Sequence, residues 1–545
     1  DPVLEDLRRS IEDPDYVRGL VRGRLLENFH RVRLALVPDR KLSERRRRAE
    51  EARLASIKAR LGEDEKQHIV AQALALAERQ KQQDDPGLLP KVGLEDVPAE
   101  LPIPTAESGL ICARPGSFYA QGTNGLAYQQ LVVELPHIED ELLDTLPYFT
   151  HNLAQLGCGG RGYLETQALQ SSVSGGVHAS STLRGAIDDV QALRGHFVLS
   201  GKALVRNHAA LSELMYETFE APRFDELERI RELLAQQRAQ REQSVTGNGH
   251  SLAMLAASSG MSAGAALAHR LRGLAGIHYL KCLDDALSDR SGLDELAGRF
   301  VQLHELMRAA PRQFLLISEA ERQAQVMQEA EQAWVKAARV AESASRFVAT
   351  PVHRQVREAW VTNTEVSFCA KAYATVPIEH PDAAALSVLA GFLRNGYLHR
   401  AIRETGGAYG GGASHDSDNA VFRFFSYRDP RLEDTLQDFD RSIAWLLEEQ
   451  HEWRPVEEAI LGVIAGLDKP GSPAGEAKDA FYNSLYGRTP EQRQRVRKRI
   501  LAVTLDDLQR VAATYLRPER ASIAVITSQS RAASCGKLGM EVKQL

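Results

Sequence analysis

Cysteine is scarce in this chain and nowhere paired. Cys112, Cys158, Cys282, Cys369 and Cys535 are scattered and odd in number, which argues against a disulfide framework and against a cysteine zinc site. That usage suits a reducing compartment, and a cytoplasmic location is the expectation. Long apolar runs are lacking as well: no stretch reaches the roughly 18 apolar residues of a membrane span, so no membrane partner is expected. Neither sign of charge dominates, with 67 Lys and Arg against 73 Asp and Glu and a net charge of −6. No global field therefore draws the chain to nucleic acid.

Histidine pairs are missing too. The 16 histidines never approach closer than nine positions (His269 and His278). A His-x-x-Glu-His helix, which holds zinc with two imidazoles one turn apart, is thus excluded. His137, near Glu139 and Glu141, and His304-Glu305 stand alone and read as surface or core. No Gly-x-x-x-x-Gly-Lys-Ser/Thr phosphate loop occurs. Gly157-Cys-Gly159-Gly-Arg-Gly162 spells a dinucleotide fingerprint but follows a helix and leads to a strand, the reverse of the required order. Gly260-Met-Ser262-Ala-Gly264 spells a serine elbow without a preceding strand, so a turn or a helix start is expected. The basic run Arg493, Arg495, Arg497, Lys498, Arg499 has no interleaved aromatics and reads as a solvated helix.

With 43% apolar and 26% charged residues over 545 positions, the chain has the composition of a globular protein of several domains. It opens on Asp1-Pro2 without a Met, as expected of a piece of a longer protein. Residues 1–40 read as a helix and an alternating strand, Arg31 to Val37, the tail of a preceding domain. Residues 41–98 read as a charged helical hairpin and linker: one helix from Ser43 to about Leu61, a break at Gly62, and a second from Glu63 to Gln83. Arg45 to Arg48 alternate with enough glutamates to be a solvated helix face.

From 99 onward one outline occurs twice, at 99–345 and 346–545. Strand Leu126 to Leu135 is answered by Val366 to Val376. Gly175-Gly176-Val-His178-Ala179 is answered by Gly406-Gly407-Ala-Tyr409-Gly410, and Phe197-Val-Leu-Ser200-Gly-Lys202, in the strand His196 to Ser200, by Phe424-Phe-Ser426-Tyr-Arg-Asp429, in the run Ala420 to Tyr427. Each copy continues into helix, the first through Ala203 to Ser244, the second through Arg431 to Glu449. Thr489-Pro490 and Thr504-x-x-Asp507 carry helix-start chemistry, and Ser522 to Thr527 is a closing strand. The fold class implied is α+β: two homologous α/β units, each a mainly antiparallel sheet packed with helices, preceded by the hairpin.

The candidate site is Arg403-Glu-Thr-Gly406-Gly407-Ala-Tyr409-Gly-Gly-Gly412. Five glycines in seven positions leave little side chain to obstruct an approaching chain. One guanidinium and one phenol are set among them as hydrogen-bond donors. Arg-x₅-Tyr in this setting, followed by Phe424-Phe-Ser-Tyr-Arg-Asp-Pro430, resembles the C-terminal half of the presequence-protease branch of the insulinase/pitrilysin zinc peptidases. The resemblance covers nearly the whole chain. It implies that Arg403 holds a substrate carbonyl, that Tyr409 donates to the scissile carbonyl or its oxyanion, and that Gly406 and Gly407 let an extended peptide approach. It further implies zinc in the full-length enzyme but none on this chain, an N-terminal zinc-bearing half as partner, and short unfolded peptides, such as cleaved targeting peptides, as substrates. A chain of this kind alone would be inactive. Two other readings stay open: a non-catalytic binding or assembly subunit with the same fold, and a helical scaffold built on the hairpin and Ala203–Ser244.

Overall fold

In the computed structural model, residues 2–39, 41–81, 90–287, 289–337 and 345–545 are described. They form two compact units, residues 1–91 and 92–545. The boundary falls inside the hairpin-and-linker segment expected at 41–98.

The smaller unit holds the hairpin, α1 (Leu42–Arg60) and α2 (Glu63–Lys81). Ser43 lies inside α1 rather than capping it, Lys41 being the residue before the first turn. The expected end of α2 at Gln83 lies outside the described residues. Glutamate–arginine pairs one turn apart, Arg47 with Glu51 and Arg48 with Glu44, run along α1 as a solvated face. Arg31 to Val37, expected as a strand, is an exposed extended run without strand pairing, Val32 and Leu36 each being 91% exposed. Alternation supplies the two faces of a strand, but only a neighbouring strand supplies the ladder.

The larger unit contains two six-stranded sheets. The first has the order β1-β2-β6-β3-β5-β4, built from β1 (Glu107–Ile111), β2 (Arg114–Ala120), β3 (Leu126–Glu134), β4 (Val177–Gly185), β5 (Leu193–Leu204) and β6 (Arg312–Ser318). The second has the order β12-β7-β11-β8-β10-β9, from β7 (Arg357–Val361), β8 (Phe368–Ala374), β9 (Gly410–Asp416), β10 (Val421–Tyr427), β11 (Ser522–Thr527) and β12 (Glu541–Gln544). Five strands correspond one to one. In both sheets a parallel pair (β2 with β6, β7 with β11) is followed by three antiparallel pairings ending at β4 or β9. The copies differ at one edge only, where β1 pairs antiparallel and β12 parallel. The expected duplication is present, and twelve strands rule out the helical scaffold.

Strand alternation gives each sheet two apolar faces. One face of the first sheet, with Leu131, Phe197 and Phe314, packs on its own unit's helices through Phe149, Phe219 and Phe300. Its other face, Tyr119, Val132, Val198, Leu315 and Ile317, is covered by Ala474, Ala477, Ala480 and Phe481 of a helix from the second copy. The second sheet reverses the arrangement: Phe368, Ala370, Ala372, Ala524 and Ile526 are covered by Leu252, Ala253, Ala256 and Ala257 from the first copy. The helices concerned, in chain order, are α3 (Leu146–Leu153), α4 (Leu227–Gly247), α5 (Gly249–Ser258), α6 (Ala263–Arg272), α7 (Asp382–Leu393), α8 (Glu433–Glu448) and α9 (Pro473–Leu485). Thus α5 caps the second sheet and α9 the first. Gly249 is required by the closeness of this docking, since a Cβ there would stand 2.6 Å from the Phe368 ring. Cross-copy polar contacts add to the seam: His196 Nδ1 lies 2.9 Å from Tyr486 Oη, and the His269 ring meets Trp360 edge-on at 6.0 Å.

The seam is open to two tests. Phe481→Ala removes the largest side chain of α9 from the first sheet and is expected to cost about 3 kcal/mol of unfolding free energy in denaturant titration. Burial holds the imidazoles of His196 and His269 down at about 4, from an ordinary 6.5. Below pH 6.5 the unfolded chain takes up protons that the folded chain refuses, so stability falls with pH from 6.5 toward 4 and is level above that window. The thermal midpoint should hold from pH 8 to 7 and decline between 6.5 and 5, before ordinary carboxylates titrate. His196→Gln with His269→Gln should lessen that decline, the remainder coming from His415, which burial also holds at about 4, and from other buried histidines held below the ordinary value.

Candidate functional site

The helix α7 continues as a π-helical segment, Arg394–Thr405, whose last turn carries Arg403. Gly406 closes it and Gly407, at φ +77°, reverses the chain, a conformation that side-chain-bearing residues resist. The Gly407 N–H donates to the Arg403 carbonyl (3.2 Å) and the Ala408 N–H to that of Ile402 (3.1 Å). Tyr409 then enters the sheet, its N–H donating to the Tyr427 carbonyl at 3.1 Å. The glycine stretch is therefore a helix end followed by β9, an edge strand of the second sheet.

The side chains of Arg403 and Tyr409 are brought together. The guanidinium carbon lies 6.0 Å from the phenol ring centroid, within cation–π reach. Tyr409 is 68% exposed and Arg403 is exposed as well. Among the described residues neither makes a side-chain hydrogen bond or ion pair, so both donors face solvent uncommitted. Tyr409 packs edge-on against Tyr427 at 5.6 Å. Tyr427 donates from Oη to the Gly247 carbonyl at the end of α4 (3.3 Å) and meets the His250 ring of α5 at 4.9 Å. Arg428, with its Cζ 5.4 Å from the Tyr427 ring centroid, completes the cluster. Tyr427, Arg428 and His250 escaped the sequence reading as site residues. The first two lay inside the Phe-x-Ser-Tyr-Arg-Asp-Pro motif, whereas His250 comes from the other copy and carries no local signal.

Gly406 and Gly407 part company. Gly407 is exposed, but Gly406 is buried beneath the Arg431 guanidinium, and a Cβ there would come within 2.5 Å of the Ile402 carbonyl. Of the two, only Gly407 is open to solvent, and the lack of a side chain at Gly406 has an internal packing reason. Gly411 and Gly412 likewise lie under Ile402 and Arg394 of the π-helical segment. Arg431 is held by Asp438 (3.0 Å). The buried Asp429 accepts from the Arg431 N–H (2.9 Å) and the Thr435 hydroxyl (2.7 Å), locking the turn after β10.

The other sequence candidates resolve into structure. His137 pairs with Glu139 at 3.3 Å on the surface, and buried His304 lies 2.6 Å from the Phe219 carbonyl through Nε2. Ser262 caps α6, accepting from the Ala265 N–H at 3.1 Å. The Gly157–Gly162 turn is tied by the Glu226 carboxylate, which accepts the N–H groups of Gly157 (2.7 Å) and Tyr163 (2.9 Å). The basic run is not uniformly solvated: Arg497 is buried, bonded to Asp468 (2.7 Å) and the Pro98 carbonyl (2.6 Å), because it fastens residues 98–99 to the second copy. Among the described residues no three His, Cys, Asp or Glu side chains are grouped to hold a metal.

Solved structures with this architecture include a protease from Helicobacter pylori (TM-score 0.55, 14% identity, 78% of this chain and 100% of that one). A peptidase M16 inactive domain from Pseudomonas fluorescens is similar to the same degree (TM-score 0.55, 15% identity, 78% and 98%). The fold class is that of M16 peptidase domains. The family model for the region associated with subfamily C of the M16 peptidases matches residues 36–283, and that described as PreP C-terminal domain matches 357–529. Relatives include mitochondrial presequence proteases of Xenopus laevis, 28% identical over 93% of this chain and 51% of the relative, and of Yarrowia lipolytica, 28% identical over 96% and 53%. Through these matches the chain is similar to the C-terminal part of presequence proteases, and it spans about half the length of the curated relatives it matches. Those relatives are named mitochondrial, so they lend no support to the cytoplasmic location expected above.

The packing around Gly406 is open to test. Gly406→Ala should lower stability by about 1–3 kcal/mol in denaturant titration, through displacement of Arg431 and the Ile402 carbonyl. A neutral result would contradict the burial of that position.

Proposed function

We propose that this chain is the substrate-gripping half of a zinc metalloendopeptidase that degrades short unfolded peptides inside a closed chamber. The observation that carries this reading is the pair of uncommitted donors, Arg403 and Tyr409, side by side at the start of an outermost strand. In this reading the Arg403 guanidinium holds a peptide carbonyl. The Tyr409 phenol donates to the scissile carbonyl oxygen, a bond that strengthens as negative charge develops there. Gly407 lets the peptide backbone pass close to the turn. Zinc would reside in the N-terminal half, which would supply the attacking water when the halves close. Five free cysteines suit a reducing interior compartment.

The alternative is a non-catalytic binding subunit with the same fold, favoured by the lack of a metal-holding group among the described residues and by the inactive domain among its structural neighbours. Turnover separates the two. In the protein carrying both halves, Tyr409→Phe is expected to lower peptide turnover about 10²-fold with little change in stability. Unchanged turnover would remove the phenol from the mechanism, and a wild-type protein with no turnover would favour the binding subunit.

A further inference from the structure

Because the two copies share their strand order, β4 is the counterpart of β9. Beside β4 lies a recess of about 450 Å³ bounded by α3, β4, α4 and α6, with His151, Ser181, Gln237, Arg241 and Arg272 on its walls. No Asp or Glu lines it. Arg241 donates from Nη1 to the Arg272 carbonyl (3.0 Å), and Arg272 from Nη2 to the Ser181 carbonyl of β4 (2.5 Å). Neither guanidinium has a carboxylate partner among the described residues. Neighbouring arginines on the same helices do: Arg238 of α4 pairs with Asp284 (2.8 Å) and Asp285 (2.6 Å), and Arg270 of α6 with Asp144 (2.6 Å). Gln237 is 8% exposed, and its amide nitrogen is buried without an acceptor. Burial lowers the pKa of Arg272, and the neighbouring charge of Arg241 lowers it further.

Two adjacent cations without a counter-ion, next to a stranded amide donor, form a donor-only wall. Such a wall is satisfied by an oxyanion, most strongly through forked guanidinium–carboxylate bonds. Phosphate-sized ions would fill little of the recess, whereas a carboxylate attached to a short stretch of chain would fill it. The strand alongside is the outer edge of its sheet, and such edges accept extended chain. We propose that this recess is a carboxylate-binding subsite that takes an acidic group of an extended peptide lying along β4. Peptide as the ligand class rests on the function proposed above; the carboxylate preference rests on the recess alone.

Calorimetric titration of this chain tests it without any turnover. The probes are a heptapeptide of Ala, Gly, Ser and Leu with a free C-terminal carboxylate, its C-terminal amide, and the amide carrying one internal Glu. The free acid is expected to bind at least about tenfold more tightly than the plain amide. Arg241→Gln should erase that preference, Arg241→Lys should keep most of it, and Tyr409→Phe should leave it intact. Preference restored by the internal Glu identifies the source as an acidic side chain; preference confined to the free acid identifies the chain terminus. Equal binding of acid and amide, or no binding of the acid, overturns the proposal. A failure of the Tyr409 mechanism leaves these results unmoved.

Discussion

The structure depends on an exchange of cover between its two sheets. Each sheet is apolar on both faces, and each copy supplies helices for only one of them. The second face must find cover elsewhere or remain exposed at about 25 cal/mol for every Å² of apolar surface. Helix α5 leaves the first copy to lie on the second sheet, and α9 leaves the second copy to lie on the first. The small residues of α5 and of β8 let those elements approach closely, so the docking is tight as well as apolar. Neither copy has a complete core without the other, which is why the larger unit behaves as one body.

That exchange also builds the site. Tyr409 packs on Tyr427 with Arg403 beside its ring, and Tyr427 is pinned by the Gly247 carbonyl and His250, both contributed by the first copy. Donors that act on a developing oxyanion work best when their position costs nothing to organise at the moment of reaction. Here the ring on which Tyr409 packs is fixed by a contact between copies rather than by its own strand alone. The turn before β4 lacks that tyrosine and arginine, and the donors of the first copy, Arg241, Arg272 and Gln237, stand instead beside the middle of the strand.

Much of this was legible in the sequence. Strands β3, β5, β8, β10 and β11 announce themselves through branched and aromatic residues, and Thr489 and Thr504 mark helix starts with side-chain oxygens that accept the expected N–H groups. The repeat was visible in the order of strands and glycine pairs. Strands β2, β6 and β7 also went unread although β6 and β7 are apolar; the other hidden features were polar or distant. Two of the four edge strands, β4 and β9, consist largely of Gly, Ser, Ala and His, so neither hydrophobic alternation nor β propensity reveals them. The cover exchange joins residues more than a hundred positions apart, as does the tie from Tyr427 to Gly247, and no local pattern encodes such pairs. Arg497 was misread for the same reason: its partners, Asp468 and the Pro98 carbonyl, are remote in sequence.

Native-state hydrogen exchange on this chain tests the exchange of cover most directly. Amides in α5, α9 and the central strands of both sheets should exchange through one shared opening, with a common free energy and a common response to denaturant. Protection of α9 or α5 that is lost at a much lower free energy than that of the sheet it covers would contradict the interlock, and with it the fixed ring against which Tyr409 packs.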